Sequence, residues 1–179
     1  CQSSNIKNVL NLGLQPWGND FIKLSENRCS DLYPLNFVIC KDCMTSQIDY
    51  TIPKEKMFVD HSYMSGTTKT LKDHFQKVGR EIINSNNFEP NDYVLDIGSN
   101  DGTLLKFFKK TTKVVGVEPA KKIAIIANNS KIKTIPHYFN TNTVNTLKRN
   151  NIFPKVITLN NTFANIDNIY SLVKLIKKI

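Results

Sequence analysis

Val94-Leu95-Asp96-Ile97-Gly98-Ser99-Asn100-Asp101-Gly102-Thr103-Leu104-Leu105 runs from an apolar strand into a glycine-containing turn and straight on into a helix. Gly98 permits a sharp turn and a close approach of ligand to backbone. Gly102 lets the start of the helix pack closely on the strand. Working outward, Val114 to Val117 reads as a second strand, Lys131 to Ile135 as a third and Val156 to Leu159 as a fourth. Helices are expected over Thr103–Lys110, Lys121–Asn128, Asn142–Arg149 and Ile166–Ile179. Strands alternating with helices imply parallel pairing, so the expected class is α/β, a doubly wound Rossmann-like sheet. Upstream, Leu71, Phe75, Val78 and Ile82 recur at helical spacing and predict a helix over Lys69–Asn84.

The turn also limits the ligand. A dinucleotide reader would carry Gly-x-Gly-x-x-Gly; this turn reads Asp-x-Gly-x-Asn-x-Gly. An acid at the end of the first strand, Asp96, suits an ammonium group and suits a pyrophosphate poorly. S-adenosylmethionine has the ammonium and no phosphate. Twenty residues past Gly98, Glu118 ends the second strand, where a carboxylate can accept both ribose hydroxyls of an adenosine. The alternative is that Asp96 caps the helix and Glu118 is a solvated strand end.

Composition adds exclusions. The 179 residues are 40% hydrophobic and 22% charged, ordinary for a globular chain. The net charge of +9 comes from scattered lysines, without a basic stripe interleaved with aromatics, so no nucleic-acid partner is expected. A phosphorylated small substrate is compatible with the excess. No apolar run approaches the roughly 18 residues of a membrane span, and no secretory h-region opens the chain. No membrane partner is expected, and the expected location is cytoplasmic. The start at Cys1 and the helix still running at Ile179 read as a fragment. Three segments are expected: a zinc-binding domain over residues 1–53, a connector and helix covering the cofactor site over 54–90, and the first half of the cofactor domain over 91–179.

The four cysteines, at positions 1, 29, 40 and 43, all lie in the first segment. The two-residue gap between Cys40 and Cys43 lets both thiolates reach one tetrahedral Zn2+. Cys1 offers a third ligand and a residue ahead of it a fourth. Cys29 either substitutes or is a lone buried thiol. Four thiolates leave no open position for water, so such a zinc is structural. Short strands flanking this knuckle, in about 50 residues with few large apolar groups, need a staple.

Leu12-Gly13-Leu14-Gln15-Pro16, Tyr33-Pro34-Leu35, Cys40-Lys41-Asp42-Cys43, Tyr63-Met64-Ser65-Gly66-Thr67-Thr68, Asp96 to Gly102, Gly116-Val117-Glu118-Pro119-Ala120 and Asn160-Asn161 follow in a distinctive order. In order and content the chain resembles class I methyltransferases that methylate carbon in nucleotide-linked deoxyketosugars and carry an N-terminal zinc-binding domain. The resemblance implies a cofactor site built from Asp96, Gly98, Ser99, Asn100, Gly102, Glu118, Pro119, Asn160 and Asn161. It implies zinc on Cys1, Cys40 and Cys43, and a nucleotide-sugar acceptor. Methylating carbon requires removal of a proton beside a carbonyl and a donor to steady the enolate. By resemblance Tyr63 is the catalytic candidate. His61 and His74 read as ordinary, partly exposed histidines.

Three departures stand against the family pattern. One Cys of the expected first pair is missing, Asn165 stands where a histidine is expected, and the family continues for about as long again. A class I methyltransferase with another small-molecule acceptor, or a truncated chain without catalytic activity, is therefore the alternative.

Overall fold

The computed structural model describes residues 1–59 and 61–179. The chain divides into two compact units, Cys1–Met57 and Phe58–Ile179.

The first unit is an antiparallel sheet of three strands, β1 (Ile6–Pro16), β2 (Leu32–Cys40) and β3 (Ser46–Ile48), in that order. Its two main strands, of 11 and 9 residues, are longer than the short strands expected. The β1–β2 register shifts twice, between Asn8 and Leu10 and between Asn11 and Leu14. Near the second shift Gly13 takes a φ of 71°, and its N–H donates to Asn11 Oδ1 at 2.7 Å. Bulges of this kind let a long strand bend without ending. Val38 and Cys40 are the buried residues among positions 1–57. A core that small cannot hold 57 residues by apolar burial. One helical turn, α1 (Lys54–Phe58), follows.

The second unit opens with a 3-10 turn at Ser65–Thr67 and helix α2 (Lys69–Ser85), capped by Thr68 accepting from Leu71 N. A four-stranded sheet follows: β4 (Tyr93–Ile97), β5 (Lys113–Val117), β6 (Thr134–Ile135) and β7 (Pro154–Thr158). All pairings are parallel, in the order β6-β5-β4-β7. The connecting helices are α3 (Leu105–Phe108), α4 (Lys121–Asn129) and α5 (Thr141–Arg149), and α6 (Ile169–Ile176) follows β7. The chain starts at the central strand, steps outward through β5 to β6, and returns to β7 on the other side. The order therefore reverses between β4 and β7, and open α/β sheets bind ligands at the carboxyl ends of the strands at such a point.

Alternation along β4 builds two cores. Val94 packs with Phe75, Leu104, Leu105, Phe108, Ala127 and Ile132 on one face of the sheet. Leu95 and Ile97 pack with Val115, Val117, Leu147 and Ile152 on the other. The sheet is thus covered on both sides, as the doubly wound reading requires.

Two helices are shorter than their sequence suggests. Asp101 Oδ1 accepts from both the N–H of Thr103 (3.0 Å) and its hydroxyl (2.6 Å), which holds the chain in a turn and delays α3 to Leu105. A 3-10 turn at Phe163–Asn165 likewise delays α6 to Ile169, where Asn168 caps it. Among the described residues no helix is long and apolar enough to cross a membrane.

Candidate cofactor and metal sites

The loop after β4 is tied to the end of β5. Gly98 N and Ser99 N both donate to Val117 O, at 2.8 and 3.1 Å. Glu118, the next residue, is 4% exposed. Its Oε2 accepts from Asn100 N at 2.9 Å and its Oε1 from Ala120 N at 2.8 Å. Burial pushes this carboxyl above its ordinary range, opposed by the two N–H groups and then by nearby His61. Glu118 is therefore not a solvated strand end. Each oxygen has accepted one N–H and keeps a further lone pair.

Asp96 is also 4% exposed and accepts from the Thr158 hydroxyl across the β4–β7 pair at 2.7 Å. Desolvation pushes its carboxyl up to about 7, the Thr158 hydrogen bond opposing and the charge of Glu118 assisting. Asp96 thus caps no helix.

The glycines of this region are fixed by protein contacts. At Gly98 (φ 75°) an added Cβ would stand 2.1 Å from Thr162 Oγ1. The space beside Gly98 is filled by the side chain of Thr162, from the loop after β7. Gly102 (φ 75°) faces Ile132, whose Cγ2 lies 2.9 Å from the position of an added Cβ. It packs on the approach to β6, a different neighbour from the strand expected. Asn100 and Asn161 also take positive φ, 51° and 53°, a conformation Asn tolerates better than most residues. Asn160 and Asn161 enter the region through backbone: Asn160 O accepts from Thr162 Oγ1 and Asn161 O from Asn165 Nδ2. Pro119 is half-buried between Glu118 and Ala120.

Sequence reading missed how the segment before α2 is held. Asn100 Oδ1 accepts from Ser65 N at 2.8 Å, and Asn100 Nδ2 donates to Tyr63 O at 3.1 Å. Asp101 Oδ2 accepts from Gly66 N at 2.9 Å. Residues 35 to 37 positions apart are thereby latched, and the Tyr63 side chain, 56% exposed, is left free. Gly66 is obligatory, since its Cβ would meet Asp101 Oδ2 at 2.5 Å and Thr103 Oγ1 at 2.7 Å. Gly66→Ala is expected to destabilise the protein by about 1–3 kcal/mol through overpacking of the latch. Thermal denaturation reads this directly, and a melting temperature equal to wild type would show that the latch yields freely.

His61 departs from expectation too: its Nδ1 is buried and, among the described residues, has no hydrogen-bond partner. His74 sits on α2 beside Phe75, ring centroids 6.0 Å apart.

In the first unit, Cys1, Cys40 and Cys43 place their sulfurs within 4.8 Å of one another. Cys1 Sγ lies 3.7 Å from Cys40 Sγ and 3.3 Å from Cys43 Sγ. Tetrahedral zinc with bonds of about 2.3 Å requires sulfurs about 3.8 Å apart, so these thiols fit the ion with small adjustment. Hydrogen bonding with Thr45, and then with Cys40, holds the Cys43 thiol below its ordinary range, toward the thiolate a metal needs. Asp42, inside the knuckle, accepts from Ser3 Oγ at 2.5 Å and Asn5 Nδ2 at 2.8 Å, and Lys41 N donates to Asn5 O at 2.9 Å. These bonds bring the arm carrying Cys1 against the knuckle. Cys29 is exposed, so it is not a buried thiol, and it lies outside this cluster.

Residues 1–58 match the Methyltransf_13 family, described as a "Putative zinc binding domain". The chain is 23% identical over 175 residues to the C-methyltransferase NovU of Streptomyces niveus, covering 97% of this chain and 42% of that protein. It thus spans about two fifths of that relative's length. Among solved structures, the plantazolicin methyltransferase BpumL in complex with SAH aligns at 16% identity with a TM-score of 0.39, covering 60% of this chain and 39% of that one. Residues 1–58 are thus similar to a putative zinc-binding domain, and nearly the whole chain is similar to part of a C-methyltransferase.

Proposed function

We propose that this chain is the cofactor-binding part of an S-adenosylmethionine-dependent methyltransferase acting on carbon of a nucleotide-linked deoxyketosugar. The observation that carries the reading is the buried Glu118 carboxylate, which reaches from the end of β5 to the amide of Asn100 in the glycine turn after β4. Among the described residues, the buried His61 Nδ1, in the segment flanking this turn, has no hydrogen-bond partner, and each Glu118 oxygen keeps a spare lone pair. The site therefore has hydrogen-bonding capacity left for a ligand. When bound, S-adenosylmethionine supplies a methyl group on a cationic sulfur, open to attack by a carbon nucleophile. Glu118 would accept the ribose hydroxyls on its spare lone pairs. Asp96, Gly98, Ser99, Asn100, Gly102 and Pro119 would shape the turn under the cofactor, with Asn160 and Asn161 at the end of β7. Tyr63, exposed above the latch, would meet the acceptor. The C-methyltransferase relative favours carbon as the methylated atom, and the net charge of +9 suits the phosphates of a nucleotide sugar.

The test is calorimetric titration with S-adenosylhomocysteine, followed by methyl-transfer assays on a panel of nucleotide-linked ketosugars. Absence of binding overturns the cofactor reading. Binding with transfer to other small molecules but never to a ketosugar overturns the acceptor class alone.

We further propose that Cys1, Cys40 and Cys43 hold a structural zinc. Their sulfur spacing fits the ion, and a unit with two buried residues gains from a metal staple. Elemental analysis is expected to find about one zinc per chain. The Cys40→Ser, Cys43→Ser double variant is expected to lose it along with the ordered structure of the first unit; unchanged metal content would end this assignment.

A further inference from the structure

Among the described residues, two buried side-chain polar atoms lack a partner, Ser99 Oγ and His61 Nδ1. Ser99 has a packing explanation, because its hydroxyl is pressed against Gly116 of β5, where an added Cβ would stand 2.3 Å away. His61 has none. It lies two residues ahead of Tyr63, whose carbonyl accepts from Asn100, in the segment where Ser65 and Gly66 donate to Asn100 and Asp101. Asn100 ties this segment to Glu118: its Nδ2 donates to Tyr63 O at 3.1 Å and its N–H to Glu118 Oε2 at 2.9 Å. A buried imidazole nitrogen without a partner is costly, and such exceptions call for a cause.

We propose that His61 is a ligand-binding residue whose Nδ1 hydrogen-bonds a ribose hydroxyl that Glu118 also takes. The proposal rests on the reading of Glu118 as the ribose acceptor. A hydroxyl that gives its proton to a carboxylate still offers its oxygen as an acceptor, and the imidazole tautomer with hydrogen on Nδ1 donates to it. Carboxylate and imidazole then grip one hydroxyl from its two sides. The latch through Asn100 and Asp101 gains a purpose from this, since it fixes the backbone that carries His61.

The experiment compares wild type, His61→Phe and His61→Asn in binding S-adenosylhomocysteine and its 2′-deoxy and 3′-deoxy analogues. His61→Phe fills the space without a donor, and His61→Asn puts an amide near the position of Nδ1. His61→Phe is expected to weaken S-adenosylhomocysteine binding roughly five- to tenfold, the size of one hydrogen bond. It should add no loss for the analogue lacking the gripped hydroxyl, and His61→Asn should recover most of the affinity. Equal affinity in His61→Phe, or an equal loss on all three ligands, overturns the proposal. If His61→Phe does not fold, the 15N resonance of Nδ1 in wild type decides: it should shift on adding S-adenosylhomocysteine, and a fixed resonance overturns the proposal. Wild type that binds none of the ligands would remove the cofactor reading itself, and this proposal with it.

Discussion

Asp96→Asn is expected to stabilise the protein near pH 8 and to flatten its stability profile between about pH 4 and 7. Burial among β4, β5 and β7 raises this carboxyl from its ordinary 3.8 to about 7. The folded chain therefore keeps a proton that the unfolded chain has released. By linkage the contribution of Asp96 is most favourable below the unfolded value. It is lost progressively as pH rises from there to about 7, and is constant above. At about 1.4 kcal/mol per pH unit, the span from 3.8 to about 7 amounts to as much as about 4 kcal/mol. Asparagine keeps the shape and still offers Oδ1 to the Thr158 hydroxyl, now bonded at 2.7 Å, but carries no charge to desolvate. Thermal denaturation of both proteins from about pH 5 to 8 should show the variant gaining on wild type as pH rises. A constant difference across that range would mean that Asp96 keeps its ordinary titration in the sheet.

What could be read beforehand follows from how local each feature is. Strand β4 (Tyr93–Ile97) and the turn after it are written in consecutive residues, and the spacing from Gly98 to Glu118 measures one strand–helix–strand step. The pairing of Cys40 with Cys43 is equally local, and Cys1 joins them through Ser3, Asn5 and Asp42. The length of β1 and β2 was hidden because their bulges are set by cross-strand register, which no single strand records. The short α3 follows from the side chain of Asp101 competing for Thr103, a choice that an apolar pattern does not express. The latch and the buried nitrogen of His61 had no local signal. Ser65-Gly66-Thr67-Thr68 reads as a helix entrance, which Thr68 is, yet Gly66 is demanded by Asp101 and Thr103, more than 30 positions away. A lone histidine in sequence looks like any surface histidine until its neighbours are pinned.

Glu118→Ala is expected to weaken S-adenosylhomocysteine binding by at least about tenfold, or about 1.4 kcal/mol. Two charge-assisted hydrogen bonds to the ribose would be lost, each contributing roughly 1.5–3 kcal/mol. The structure adds a second effect of the same substitution. With the carboxylate gone, the N–H groups of Asn100 and Ala120 lose the oxygens they now reach at 2.9 and 2.8 Å, and both lie in buried surroundings. The glycine turn would loosen and the melting temperature fall, so weaker binding alone cannot separate ligand contact from loop order. The separation comes from an analogue lacking both ribose hydroxyls. If Glu118 binds ribose, that analogue loses most of its affinity for wild type and much less for Glu118→Ala, because the interaction it lacks is already absent there. If Glu118 acts through the Asn100 amide alone, both ligands weaken by the same factor on mutation. Unchanged affinity for S-adenosylhomocysteine, with the fold intact by circular dichroism, would remove Glu118 from the site altogether.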